Sequence, residues 1–470
     1  MKLLGWRVSG PWIAALILLT SSLPLNAANG WTGGQEVDTV PPTAKARQSE
    51  PSLQLLLKTP VERLKPQSIS LEGDLPVNLT LRLAVPGKED AQLWEYRYEP
   101  GESWGAGTWV VFRDGLGRLR EIRIIILASS SDQDHRVGSN GTWVRLSPVK
   151  DLRRTRLDLF LAGRLVTGGW EVPGTLQDLV ASEDDWVWKQ TQQQINWGEL
   201  LPLARSEDTR VETLQRVVHK VLSTIPVDKT ALWLEDPQTR ADGTDATGAP
   251  KGHWSRVPGQ DSEAARGLGP WGLAHWFVTG VLRGWQSKPP ELAKLLEPRS
   301  NLPGYSQALV PGDLTTDPSF SLDWIRNLGL TVFQARYPSR PVSNEGADVL
   351  SVPYLESQDN TGFATEDFAP LMHLLAVTKP GKAYLATLST QSAVGGAASA
   401  VKFQEPALVL PWVGQDGEVR VSIFQGPREL TRDQWLGPPG KTVPGTRPDH
   451  VILVEIPLPA TVPLPVLPLR

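Results

Sequence analysis

A chain of 470 residues without a single cysteine has to hold itself together entirely by burial, hydrogen bonding and charge pairing. Disulfides are impossible, although the N-terminus carries the marks of export into compartments where disulfides form. Lys2 and Arg7 supply a positive start, Trp12 to Leu19 a short apolar run, and Pro24 with Ala27 and Ala28 a small-residue exit. That order is the order of a secretory signal over residues 1–27. The apolar run is shorter than the ~20 residues that cross a bilayer. An uncleaved N-terminal anchor is the alternative reading of the same residues. The expected localisation is exported, periplasmic or extracellular.

The same absence removes whole classes of function. Thiolate catalysis, cysteine-ligated metal and a lipid-modified N-terminal cysteine are excluded. A net charge of −4 with a pI near 6 gives no reason to expect nucleic acid or an anionic membrane as partner. Nineteen tryptophans against six tyrosines point to indoles as core material, since each buries a large apolar area.

Hydrophobic periodicity divides the rest. Residues 28–59, rich in Gly, Pro, Thr, Gln and charge, read as a lead-in without a core of their own. Val77, Leu79, Leu81, Leu83 and Val85 then alternate with Asn78, Thr80, Arg82 and Ala84, the period of a strand with one apolar face. Further strands are expected over 93–98, 108–113, 121–127, 142–146 and 157–161, with Asp114-Gly115 and Asn140-Gly141 among the turn signals. Short strands at this spacing predict an antiparallel sandwich or small barrel over residues 60–170, the β-sandwich being the architecture expected. The Asn-x-Thr triplets at Asn78 and Asn140 read as chance matches to the glycosylation signal.

From 171 to 229 the period changes to that of a helix. Leu214, Val217, Val218, Val221 and Leu222 share one face, and Pro226 ends it. An α+β domain is expected over 230–456: a strand at 231–234, a loop at 236–259, helices over 271–285, 321–330 and 368–377, and a strand at 383–388. A hairpin of strands 401–413 and 418–424 turns at Gln415-Asp416-Gly417, and a last strand spans 450–456. At roughly 150 residues per domain, the length suits such a two- or three-domain α+β organisation. The tail 457–470, with prolines at 457, 459, 463, 465 and 468, favours extended polyproline geometry over a packed element.

Five groups of residues could carry chemistry. Gly269-Pro270-Trp271-Gly272-Leu273-Ala274-His275-Trp276 resembles the helix start of NlpC/P60-type, papain-like cysteine peptidases, often exported enzymes. Gly272, Leu273 and Trp276 match that pattern, Pro270 stands where the nucleophilic cysteine belongs, and Glu405-Pro406-Ala407-Leu408-Val409-Leu410 stands where a strand should open with histidine. The resemblance covers at most residues 230–456. It implies an inactive relative, a pseudo-peptidase whose old cleft beside Pro270, Trp271, His275 and Glu405 would hold a ligand. An unrelated α/β domain with a Trp-rich amphipathic helix accounts for the same residues.

The other four matches read as background. Gly304-Tyr305-Ser306-Gln307-Ala308 lacks the strand that a Ser nucleophile elbow requires. The histidines at 135, 219, 253, 275, 373 and 450 have no zinc-binding spacing, so no metal and no cofactor is expected. Asp236, Asp242 and Asp245 lack a calcium-loop register. Glu183-Asp184-Asp185 beside Trp186 and Trp188 are too close in sequence to flank a glycosidic bond. The expected function is therefore an exported, non-catalytic binding or structural module of the cell envelope, its ligand a peptide, glycan or protein. The alternative is an envelope hydrolase with a Ser or carboxylate nucleophile.

Overall fold

The computed structural model describes residues 67–71, 77–83, 94–100, 108–114, 118–127, 142–149, 153–181, 189–193, 195–196, 209–235, 252–256, 267–300, 317–340, 347–358, 361–392, 400–414, 419–437 and 449–468. The signal and lead-in segments, the Ser306 match, the acidic stretch at 183–185, Asp236, Asp242 and Asp245, Asn140 and the hairpin tip at 415–417 lie outside the described residues.

Eight strands come first: β1 Gln67–Leu71, β2 Val77–Leu83, β3 Trp94–Pro100, β4 Thr108–Arg113, β5 Leu119–Leu127, β6 Thr142–Pro148, β7 Arg154–Leu161 and β8 Arg164–Pro173. Each pairs antiparallel with the next, in the order β1 to β8, so hydrogen bonding links them into one meander. The division into two packed sheets that defines a sandwich is not marked by any break in this pairing. The sequence reading also missed β8, because Gly168 and Gly169 interrupt its alternation.

Period two sorts the side chains of the central strands. Ile122 and Ile124 of β5, Val144 and Leu146 of β6, and Leu157, Leu159 and Leu161 of β7 enter one core. Register aligns them across the sheet: Ile122 faces Leu146, which faces Leu157. The opposite face carries an aromatic and arginine ladder. Trp143 stacks on Phe160 with centroids 3.8 Å apart, and Arg123 lies over both Phe112 and Trp143.

After the meander come α1 Leu176–Ala181, α2 Arg210–Leu222, β9 Ala231–Glu235, β10 Gly252–Arg256, α3 Pro270–Gly284, α4 Leu292–Leu295 and α5 Phe320–Arg336. The hairpin β11 Ser351–Val352 and β12 Leu355–Glu356 follows, then β13 Phe363–Ala364, a 3₁₀ turn at Thr365–Asp367 and α6 Phe368–Thr378. The chain ends with β14 Lys382–Ser392, β15 Ala400–Phe403, β16 Ala407–Val413, β17 Val419–Gln425, β18 Arg428–Leu430, α7 Arg432–Leu436 and β19 His450–Pro457. Two expectations are corrected here. Residues 252–256, expected in a loop, pair with β9, and the single strand expected over 401–413 is two, broken at Gln404-Glu405-Pro406.

The second large sheet is antiparallel throughout, ordered β13-β19-β14-β16-β17-β18, with β15 also on β14. Both of its faces are covered, which is why β16 and β19 read as unbroken apolar runs. Leu385, Leu408, Leu410, Ile452, Val454 and Ile456 meet α2, α3 and α5 in one core. Tyr384, Ala386, Leu388, Val409, Val451 and Leu453 meet α6 and the inner face of the meander in the other. The protein is thus a mixed α/β structure built mostly of antiparallel sheets, and one core is shared between the meander and the later sheet. Thr142 of β6 reaches across it, its Oγ1 lying 3.3 Å from Nδ1 of His373 on α6.

Among the described residues no helix is long and apolar enough to cross a membrane. Arg326 of α5 and Asp348 make an ion pair at 2.7 Å with side-chain exposures of 3% and 5%. Asp348 and Val349 in turn bridge to β19, so this buried pair anchors the helix layer to the sheet.

Candidate functional site

The start of α3 is built for close backbone contact. A Cβ on Gly269 would collide with the Lys229 carbonyl oxygen, and one on Gly272 with that of Ala231. The Gly269 amide donates to the Ala231 carbonyl at 3.1 Å, so β9 seals one side of the helix start. On the other side, a Cβ at Gly426 would sit 3.6 Å from the Pro270 nitrogen. The glycines that resemble a peptidase motif are therefore accounted for by packing: only a residue without Cβ lets these chains approach.

The four residues expected at a cleft are placed as follows. Pro270 is buried at the first turn of α3. Trp271 is buried, its indole N–H donating to Ser321 Oγ at 3.3 Å and its carbonyl accepting from the Trp324 indole at 3.2 Å. His275 is 2% exposed. Glu405 is half-buried, and its carbonyl accepts from the Gln425 side chain at 3.1 Å. Pro270 and Glu405 each lie beside the turn that joins β17 to β18, the first near Gly426 and the second bonded to Gln425.

His275 lies wholly inside the helix layer. Burial pushes its pKa down to about 4, against a smaller opposing pull from the carbonyls of Pro290 and Trp233. Neither ring nitrogen makes a hydrogen bond of ordinary geometry. Enclosed in this way, the ring is a neutral core group.

A concave site lies elsewhere, where the β7–β8 turn meets the β11–β12 hairpin. It is a groove of ≈ 540 Å³ lined by Arg164, Leu165, Val166, Ser351, Val352, Tyr354, Leu355, Glu356 and Asp367. Three local features present these residues. Ala162 and Gly163 take φ of 47° and 77° between paired Leu161 and Arg164, the tight two-residue turn in which both residues are left-handed. Val352 pairs with Leu355, so the second hairpin also turns in two residues, Pro353 and Tyr354. Asp367 closes the 3₁₀ turn that runs straight into α6.

Tyr354 has φ of 66°, where glycine is the usual occupant. Its hydroxyl accepts the Asn196 amide at 2.9 Å, a bond that helps hold the strained turn. Arg164 Nε meets Asp367 Oδ1 at 2.7 Å, with side-chain exposures of 41% and 26%. Burial raises the Asp367 carboxyl above its ordinary range; Arg164 opposes the rise and neighbouring Glu366 adds to it. The groove is therefore one arginine facing two carboxylates, Asp367 and Glu356, over a floor of aliphatic side chains.

Sequence reasoning missed this site entirely. Its residues come from one segment at 164–166 and from a stretch at 351–367 far along the chain, and none belongs to a motif. The one local signal was Pro353-Tyr354 between short apolar stretches. Among the described residues, no group of three or more His, Cys, Asp or Glu is arranged to hold a metal ion. Comparison with known protein families, curated proteins and solved structures gives no match.

Proposed function

We propose that the chain is an exported, non-catalytic protein of the cell envelope that binds a small polar ligand in the groove between the β7–β8 turn and the β11–β12 hairpin. The observation that carries this reading is the Arg164–Asp367 pair held in a lined concavity beside a strained Tyr354. Strain and incompletely compensated charge cost stability, and they persist where binding uses them. Export rests on the charge, apolar run and small-residue exit of residues 1–27. The likeness to NlpC/P60 peptidases stays a reading of residues 230–456. A helix packed on an antiparallel sheet near the head of β16 supports it, and the sealed start of α3 argues against any ligand there.

A second reading, a hydrolase acting through carboxylates, draws on Asp367 and Glu356 sharing one groove with Asp367 made more basic by burial. The ion pair to Arg164 opposes that rise and weighs against Asp367 as a general acid.

The test is binding of envelope-derived peptides and glycan fragments to the purified mature protein, compared with Leu165→Trp. Leu165 is 46% exposed, so the larger ring fills the groove without disturbing the core. Saturable binding lost in that variant, with intact ligand recovered, supports the reading. Binding unaffected by the substitution, or ligand recovered cleaved, overturns it.

A further inference from the structure

We propose that the groove recognises an alkylammonium group, as carried by a lysine or ornithine side chain, with the ammonium among the carboxylates and the methylene stem on the aliphatic floor. This rests on the binding-module reading above and names its ligand class.

The charge balance argues first. Two carboxylates and one guanidinium line the groove, and Glu366 adds a further negative charge beside Asp367. The guanidinium is already committed, since Arg164 Nε holds Asp367 Oδ1. Glu356 makes no hydrogen bond or ion pair among the described residues, and Asp367 Oδ2 makes none either. The unsatisfied capacity is therefore for a cation. An anionic ligand would have to displace Asp367 from Arg164 and then face both carboxylates.

Shape and apolar lining argue second. Leu165, Val166, Val352 and Leu355 offer a hydrocarbon surface directly beside the acids, and Leu165 is left 46% exposed although it is aliphatic. A long flexible stem ending in a compact cation matches such a surface, because it buries methylenes while its head keeps contact with charge and water. The ≈ 540 Å³ of the groove exceeds one side chain and leaves room for flanking peptide. The raised carboxyl of Asp367 agrees with this: one guanidinium does not fully offset its burial, and a second cation would.

Titration calorimetry and ligand-observed NMR with the mature protein test the proposal. The probes are Nα-acetyl-lysine amide, its uncharged counterpart Nα-acetyl-norleucine amide, the anionic Nα-acetyl-glutamate amide, and cadaverine as a free diamine. The lysine probe is expected to bind at least about tenfold more tightly than the norleucine probe. Glu356→Gln should weaken it by about 3- to 10-fold, added salt should weaken it further, and Leu165→Trp should abolish it. Thermal unfolding of both variants should match the parent, since both positions are on the surface. Cadaverine binding more tightly than the lysine probe supports ammonium recognition and assigns it to free diamines; the reverse order assigns it to peptides. Equal binding of lysine and norleucine probes overturns the proposal. So does a preference for the glutamate probe, or no binding of any cation, while envelope fragments still bind in a Leu165→Trp-sensitive manner; the binding reading then survives without this ligand class. If nothing binds at the groove, both fall.

Discussion

The indole N–H of Trp276 donates to the carbonyl of Pro465 at 2.8 Å, tying the middle of α3 to the proline-rich tail. The tail was expected to be extended and unpacked. It is extended, but it lies on its own helix: Leu458 and Leu467 are buried in the core that contains α3. A Cβ on Gly280 would press on Leu464 and one on Gly284 would collide with Pro459 and the Thr461 carbonyl oxygen, so the tail runs along a strip that these glycines keep bare. This strap explains how α3 is buried from Pro270 to Arg283 without a third sheet over it.

Loosening the strap should destabilise the whole helix layer. Trp276→Phe removes the hydrogen bond and leaves a buried carbonyl unpaired, an expected loss of about 1–3 kcal/mol in urea unfolding. Gly284→Ala should release the tail more completely, seen as faster amide exchange across α3 and proteolysis beyond Pro457. Unchanged exchange in α3 after removal of residues 458–470 would show the strap to be ornamental.

His275 should make stability fall in mild acid. Its folded pKa of about 4 lies below the ordinary 6.5, so the unfolded chain binds the proton first. Its contribution is fully present above pH 6.5 and is lost as the pH falls from 6.5 towards 4, by roughly 3 kcal/mol at 1.36 kcal/mol per pKa unit. His275→Leu should reduce the proton uptake on unfolding across this window by about one. A wild-type slope that His275→Leu leaves intact would place the titration elsewhere.

Arg326 and Asp348 should be strongly coupled. Removing either alone leaves a buried charge, and Arg326→Met is expected to cost about 3–5 kcal/mol. The double variant Arg326→Met/Asp348→Leu should recover most of that loss, because two apolar side chains need no compensation. Additive losses in the double-mutant cycle would contradict this.

Asp158 presents the opposite balance on the meander. Burial opposes its ionisation, but hydrogen bonds from Arg145, Arg156 and the Gly169 amide outweigh it, so its pKa is lowered. The stability it adds is present above its unfolded value of 3.8 and disappears as the pH falls through the lower folded value. Asp158→Ala should cost about 1–3 kcal/mol, at the low side for a buried pair because both arginines are partly exposed. Gly168→Ala, whose Cβ would collide with the Asp158 carboxylate, should reproduce much of that loss. Chemical denaturation of the two variants checks both.

What the sequence determined by itself is what local periodicity and composition fix. The alternation around Val77–Leu83, Glu121–Leu127 and Leu157–Leu161 placed strands because adjacent side chains on a strand point to opposite faces. The apolar spacing of Leu214, Val218 and Leu222 placed α2 in the same way, and the absence of cysteine closed thiol chemistry before any coordinates. Tertiary structure decided the rest. Whether eight strands join in one path depends on pairings that no strand encodes alone. Whether Gly269 and Gly272 open a catalytic helix or admit the β9 backbone depends on what lies against them. Arg164, Tyr354, Glu356 and Asp367 share a groove only because one core draws the meander and α6 together, and burial against a distant segment leaves no mark at the position it serves.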